Sequence, residues 1–248
     1  MDPIHQFEIT SYLVFGHIGG AEIAFNKSAL YMLISVAIIA WLMIGTTSAR
    51  ALVPGRLQGV AEMSYEFMAS ALQSTAGPEG MRFFPLVFSL FMFIATVNII
   101  GLIPYTFAVT AQIIITVSLA MLVFLTVIVY GFWKHGLHFL KLFVPSGIPP
   151  LVLILVVPIE VLSFLSRPIS HSVRLFANIL AGHITLKVFA GFVTMLSAFG
   201  FLGWIGAILP FGMTVALTAL ELLVAFLQAY VFAILTCIYL NDAIHPGH

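Results

Sequence analysis

The sequence predicts an all-α integral membrane protein with about five transmembrane helices and one amphipathic surface helix, the last two helices being long and strongly tilted. Of its 248 residues, 62% are hydrophobic and only 7% are charged, whereas a soluble domain has about 25% charged residues. Its nine basic and nine acidic residues leave no basic surface for phosphates, so nucleic acid is not an expected partner. The single Cys237 cannot form an internal disulfide.

The first third of the chain contains one span and one surface helix. Residues 1–28 form an N-terminal segment, and 22 uncharged residues between Lys27 and Arg50 contain the first span, 29–48, since about 20 apolar residues cross a bilayer. In 55–75 polar residues recur every three or four positions with apolar residues between them, which predicts an amphipathic surface helix.

The next two spans lie in one uncharged stretch. Between Arg82 and Lys134 are 51 residues without a charge, enough for spans at 83–104 and 107–132. We place the break between them near Pro104, because glycine and proline interrupt a helix.

The last two helices, 151–197 and 204–240, are longer than a membrane is thick. The first would extend about 70 Å at 1.5 Å per residue. It must therefore tilt, bend or break, and Pro168 is its weakest point, because proline removes a helical hydrogen bond. We treat the whole chain, 1–248, as a single membrane domain.

The basic residues of the loops predict the orientation. Cytoplasmic loops are rich in lysine and arginine, and these residues concentrate in two loops, 49–82 and 133–149. We therefore expect a multi-pass protein with its N-terminus outside and its C-terminus in the cytoplasm. The basic residues concerned are Arg50, Arg56, Arg82, Lys134 and Lys141.

Polar residues line one side of each long helix. At 100° per residue, seven of them in 151–197 fall within about 40° of one line, and His183 falls roughly opposite Arg174. In the last helix Thr214, Glu221 and Gln228 recur every seven residues. The first set, called the polar seam below, consists of Glu160, Ser163, Arg167, Ser170, Arg174, Asn178 and Thr185.

Arg174 is the strongest functional candidate. A serine or threonine in a span usually bonds its own helix backbone, and a lysine such as Lys187 can extend to the membrane surface. Arginine keeps its charge and has long apolar sequence on both sides here; intramembrane charges of this kind mark ion paths. Glu160, Glu221 and His183 are further candidates, while the roles of Arg167 and Lys187 stay open.

Other function classes find little support. The sequence has no zinc-protease or serine-hydrolase motif and no glycine-rich phosphate loop, so ATP chemistry must reside on other chains. His135 and His138 lack convincing further metal ligands; we expect no metal and no cofactor. A stand-alone ion channel or secondary transporter with an Arg/Glu/His relay remains the alternative, although such folds usually contain a repeated half, which is not found.

Several motifs resemble subunit a of the F-type ATP synthase. The resemblance covers most of the chain from about residue 83 onward, and Ala177 departs from it, since many relatives have glycine there. The matching motifs are Asn98-Ile-Ile-Gly101-Leu-Ile-Pro104, Glu160-Val-Leu-Ser163, Arg167-Pro168, Ser172-Val-Arg174-Leu-Phe-Ala-Asn178, Ala181-Gly182-His183 and Leu227-Gln228-Ala229-Tyr230-Val231-Phe232.

This resemblance implies a non-catalytic stator that carries protons to and from a rotating ring of c subunits. Arg174 would be the essential charge that faces the ring carboxylates. Partners would be the c-ring, the b-type subunits of the peripheral stalk, the whole ATP synthase complex and lipid, in a bacterial inner membrane or alternatively the mitochondrial inner membrane. The outer half-channel would contain Asn178, His183, Glu221 and Gln228, and the inner half-channel Glu160 and Ser163.

Overall fold

The computed structural model describes residues 11–18, 21–48, 55–103, 106–144 and 149–245. Five helical stretches within these ranges are long and apolar enough to cross a membrane. The prediction of an all-α integral membrane protein is thereby confirmed.

Six helices account for most of the described residues. The third of the expected spans begins as a regular helix only at Ile113, because Val109–Ala111 form a separate 3₁₀ turn. Further 3₁₀ segments are Met81–Phe83 and Gly136–Phe143. The helices are α1 (Lys27–Ser48), α2 (Arg56–Gly80), α3 (Phe84–Leu102), α4 (Ile113–His135), α5 (Pro150–Ser197) and α6 (Phe201–Ile244).

A β-hairpin that the sequence analysis did not anticipate precedes α1. Strands β1 (Ser11–Ile18) and β2 (Ala21–Asn26) pair antiparallel, with Val14 opposite Ala24. The sequence contained a signal for it, since a Gly-Gly dipeptide between two apolar-rich runs is typical of a hairpin. The strands lead into α1, whose first turn is capped by Asn26: its side-chain oxygen accepts a hydrogen bond of 2.9 Å from the Ala29 N–H.

The surface-helix segment continues beyond its expected end. Helix α2 extends to Gly80 and contains a kink at Gly77, whose φ of 65° is non-helical. Glycine tolerates this left-handed conformation because it has no Cβ, and Pro78 then begins the following turn, where its missing N–H costs least. One side of α2 is buried, through Ala61, Met68, Leu72 and Ala76.

Helices α5 and α6 contain 48 and 44 residues, or about 72 and 66 Å at the usual rise. Helix α5 remains one element through Pro158 and Pro168, so it does not break in two as the sequence alone had allowed. Gly200, with a φ of 77°, lies in the turn between the two helices. Both helices are longer than the roughly 30 Å of hydrocarbon in a bilayer, and we therefore still predict that they are strongly tilted.

The described residues form two compact units, each with its own core. The first unit comprises Met1–Trp41, Phe93–Gln112 and Leu175–Gln228, and the second Leu42–Met92, Ile113–Arg174 and Ala229–His248. The core of the first contains Ile94, Val97, Phe107 and Ala225. The core of the second contains Met68, Leu72, Val123, Phe139, Phe164, Ala229, Ala233 and Leu240; its alanines let helices approach closely.

Candidate functional site

His183 of α5 and Glu221 of α6 face each other in the first unit. The imidazole Nε2 lies 3.8 Å from Oε1 of Glu221, and the two side chains are only 10% and 5% exposed. Within the described residues neither Glu221 oxygen has a hydrogen-bond partner. A buried acid without such a partner is costly in an apolar setting, and intramembrane acids are usually functional. The pair can therefore exchange a proton after a small movement or through one water.

Gly182 makes room for this carboxyl group. A Cβ atom on Gly182 would lie 2.6 Å from Oε1 of Glu221 and 3.0 Å from its carboxyl carbon, closer than van der Waals contact permits. The absence of a side chain at this position thus lets Glu221 reach the surface of α5 beside His183. Gly182 belongs to the motif Ala181-Gly182-His183, but the sequence alone does not predict that Gly182 makes room for Glu221.

A cavity of mixed polar and apolar lining reaches His183. Its volume is about 640 Å³, large enough for many waters at about 30 Å³ each. The walls combine hydroxyl and charged groups with aliphatic side chains. The lining residues are Lys27, Gly101, Leu102, Ile103, Thr106, His183, Leu186, Lys187, Ala190, Thr214 and Thr218. The cavity therefore reaches the buried pair at His183.

Asn98 fixes α3 against α6 one turn from Glu221. Its amide Nδ2 donates a hydrogen bond of 3.2 Å to the Ala225 carbonyl oxygen, and its Oδ1 accepts one of 2.7 Å from the Thr110 hydroxyl. Asn98 is 2% exposed and Thr110 is fully buried. Since each buried polar group here has a partner, this network positions the part of α6 that carries Glu221.

The remaining outer-channel candidates differ in exposure. Asn178 lies on an exposed side of α5, whereas Gln228 on α6 is buried at 8% exposure. The structure thus brings His183 and Glu221 together and places Asn178 on a different side of α5 from His183.

Arg174 and the inner-channel candidates belong to the second unit. The guanidinium-bearing side chain of Arg174 is exposed on α5, as is Ser163, while Glu160 is half-buried. The Ser163 carbonyl accepts a hydrogen bond of 2.7 Å from the Ser166 hydroxyl. Glu160 and Ser163 are three residues apart and therefore lie on the same side of the helix.

Two further groups in the second unit were missed by the sequence analysis. His171 directly follows Ser170 but is not part of the polar seam. It is buried at 4% exposure, and its Nε2 has no hydrogen-bond partner within the described residues. Asp242 forms an ion pair of 2.6 Å with Arg167. Neither the burial of His171 nor the ion pair of Asp242 follows from residue spacing within one helix, because each depends on how α5 packs against α6.

Comparison with known proteins places the chain in a family. Residues 29–241 match the family described as ATP synthase A chain. A protein named ATP synthase subunit a from Rhodopseudomonas palustris strain TIE-1 is 68% identical over 247 residues, covering 100% of this chain and 99% of the relative. One of the same name from Nitrobacter winogradskyi is 66% identical over 248 residues and covers both chains completely.

These matches span nearly the whole sequence and agree with the five apolar helices. They favour a subunit of a larger complex over the stand-alone channel or transporter, and their bacterial sources support a bacterial plasma membrane. The chain therefore belongs to the ATP synthase A chain family, as a non-catalytic, proton-translocating membrane subunit of the ATP synthase.

Proposed function

We propose that this chain is the stator of the proton pathway and provides two offset half-channels to a rotating c-ring. The observation that carries the proposal is the buried His183–Glu221 pair, whose histidine lines the cavity. A titratable pair that borders a cavity on one side and is otherwise enclosed by apolar helices suits proton entry, since ionisable residues within a membrane are costly and usually mark an ion or proton path.

The outer half-channel begins at the cavity. A proton arriving through water is taken up at His183, a side chain suited to proton relay near neutral pH, and passes to Glu221. Asn178 and Gln228 are polar groups of the same unit that can carry hydrogen bonds further along the route. The Lys187 side chain lies one turn beyond His183 on the cavity wall, so we assign Lys187 to the channel entrance.

Arg174 separates the two half-channels. Its exposed position allows contact with a partner, and its permanent positive charge stabilises a ring carboxylate in the ionised form when the two come within about 4–6 Å. The same charge repels protons and so opposes a direct leak. Lysine is a poor substitute, because a lysine in an apolar setting can lose its proton.

The surface of α5 near Arg174 suits a ring of apolar helices. Leu162, Ile169 and Val173 are 67%, 64% and 43% exposed, and they lie on the apolar side of α5 next to the exposed strip that carries Ser170 and Arg174. This pattern is complementary to a helix that carries one carboxylate among apolar residues. The b-type subunits and the rest of the ATP synthase complex are further partners implied by the family.

The inner half-channel uses Glu160 and Ser163. Both lie nearer the beginning of α5 than Arg174, and the segment before α5 carries Lys134 in the last turn of α4 and Lys141 in the 3₁₀ segment that follows. By the positive-inside tendency this end faces the cytoplasm. Protons released from the ring then leave past Glu160 to the cytoplasm, while the N-terminus lies outside and the C-terminus inside.

The proposal is tested by Glu221→Gln in membrane vesicles from which the catalytic part of the complex has been stripped. This change keeps the side-chain shape and removes the proton-accepting carboxylate, so passive proton conductance is expected to fall at least about tenfold, a modest value for a proton-transfer group. Glu66→Gln, an exposed acid on α2, is the matched control and should conduct normally. Normal conductance in Glu221→Gln vesicles would contradict the proposed outer half-channel.

A further inference from the structure

Arg167 is enclosed by groups from both long helices in the second unit. Its Nη1 lies 2.6 Å from Oδ2 of Asp242, with the side chains 24% and 27% exposed. Its guanidinium carbon also lies 5.2 Å from the ring centre of Phe164 and 4.9 Å from that of Tyr239. These four residues are called the clasp below; they join α5 to the last turns of α6.

Asp242 is unfavourably placed with respect to its own helix. Helix α6 ends at Ile244, so the carboxylate of Asp242 lies at the negative end of the helix dipole, where an acidic side chain is destabilising. The paired arginine offsets this cost. The acid therefore serves the contact with α5 rather than the stability of α6.

The aromatic rings beside Arg167 and the carboxylate of Asp242 together favour one orientation of the Arg167 guanidinium. A planar guanidinium can stack on rings while its N–H groups reach a carboxylate, which the compact ammonium of lysine cannot do equally well. Phe164 is itself 5% exposed and packs against Phe124 and Phe143, with ring centres 5.2 and 5.3 Å away. The clasp is thus anchored in the core of the second unit.

The clasp lies where α5 is weakest. Pro168 follows Arg167 directly, and it cannot supply the helical hydrogen bond that the Phe164 carbonyl would otherwise accept. One turn later the buried His171 ring lies 3.8 Å from that of Phe232 and 5.8 Å from that of Tyr239. Side-chain contacts with α6 therefore support α5 on both sides of the missing hydrogen bond.

Arg174 follows Arg167 by seven residues, which is two helical turns or about 10 Å along α5. A change in bend at Pro168 would redirect every later side chain on the helix. We propose that the clasp is a positioning device, which holds α5 so that Arg174 keeps its direction on the exposed surface. Arg167 and Asp242 are positioning residues in this assignment, and it rests on the proposed role of Arg174.

The test uses the whole ATP synthase in inverted membrane vesicles and measures protons pumped per ATP hydrolysed, at matched amounts of assembled complex. Asp242→Asn keeps the shape of the side chain and removes the charge. We expect the ratio to fall about threefold, which is within the range by which residues of a contact network change the coupling between two sites, and passive proton leak to rise. A loss of assembled complex alone would change the total rate but not this ratio.

Three further variants make the result specific. Arg167→Lys should give an intermediate loss, because it keeps a charge but not the stacking. Arg167→Asp combined with Asp242→Arg should recover coupling relative to either single change. Glu79→Gln is the matched control: it breaks another ion pair of the second unit, of 2.7 Å to Lys134 with side chains 56% and 33% exposed, and should leave the ratio unchanged.

Unchanged coupling in Asp242→Asn, or an equal loss in Glu79→Gln, would overturn the clasp. If Asp242→Asn does not assemble, the double reversal decides, and its failure to recover assembly or coupling overturns the assignment. Arg174→Ala in the same vesicles separates the two proposals. Normal pumping there refutes the proposed function, whereas lost pumping with normal Asp242→Asn coupling refutes the clasp alone.

Discussion

Gly182 and Glu221 occupy adjoining space: a Cβ atom on Gly182 would lie 2.6 Å from the carboxylate Oε1 of Glu221. The carboxyl group of Glu221 can take this position against helix α5 because residue 182 has no side chain. The same approach brings Glu221 to 3.8 Å from His183. The geometry of the acid–histidine pair thus depends on a residue that carries no chemistry itself.

Gly182→Ala should lower ATP-driven proton pumping about tenfold. The added methyl group would displace the Glu221 carboxylate, and misplacement of a proton-transfer group by about 1 Å is enough for a loss of this size. Fluorescence quenching of a pH-sensitive dye in inverted vesicles measures the effect. Gly191→Ala is the matched control on the same helix, since its Cβ would meet no atom within 4 Å; equal pumping by both variants would contradict the steric argument.

Cysteines introduced at positions 183 and 221 should be joined by a short bifunctional crosslinker. The two side chains approach to 3.8 Å, within the reach of such a reagent. The experiment needs Cys237→Ala as background, because Cys237 is the only native cysteine. The pair Asn178→Cys with Glu221→Cys is the control and should react poorly, since Asn178 is exposed on another side of α5. Equal yields for both pairs would contradict the facing arrangement.

Much of the fold can be predicted from the sequence because two requirements largely determine it: the hydrogen bonding of the backbone within the membrane and the exclusion of charges from the spans. Apolar helices must satisfy their backbone internally in a membrane, so the positions of charges such as Lys27 and Lys134 largely determine where spans can lie. The hairpin before α1 was not predicted, because its strands of eight and six residues are far shorter than the apolar stretches that identify spans. The start of α4 at Ile113 was missed because Thr110 bonds Asn98, a contact between segments that no local pattern shows.

Some features of the candidate site could likewise be predicted from the sequence, and others depend on how the helices pack. Arg174 and Glu221 were predictable because a charge deep in an apolar helix is conspicuous. Residue spacing placed His183 roughly opposite Arg174, and the resemblance placed it in one half-channel with Glu221, but neither gave the distance between the two side chains. Asp242 was not predictable as the partner of Arg167, since 75 residues separate them and only the packing of two helices brings them together.

Asn98→Ala should destabilise the first unit by about 1 kcal/mol, the usual size of a buried hydrogen bond between membrane helices. The change removes the bond to the Ala225 carbonyl and leaves the Thr110 hydroxyl without its acceptor. The effect is measured by heating the purified subunit in detergent and recording the fraction that remains folded at each temperature. Ser89→Ala is a suitable control, because that hydroxyl bonds only the Leu86 carbonyl of its own helix on an exposed surface. Equal unfolding temperatures for Asn98→Ala and the unsubstituted chain would contradict the proposed connection of α3 to α6.

Arg174→Ala should abolish coupled proton pumping and ATP synthesis while the complex still assembles. The side chain is exposed on α5, so we expect its truncation to leave the assembly of the complex unchanged while it removes the charge that a ring carboxylate would meet. Arg174→Lys should restore little, because an ammonium in an apolar setting can lose its proton and with it the barrier to leakage.

Assembly is quantified by co-purification of the catalytic subunits, and pumping is measured in inverted vesicles at equal complex content. Ser170→Ala, four residues earlier on the same exposed side of α5, is the control and should pump normally. Normal pumping by Arg174→Ala would refute the central charge, and failure of Ser170→Ala as well would indicate that the surface of α5, rather than the guanidinium, is what the partner requires.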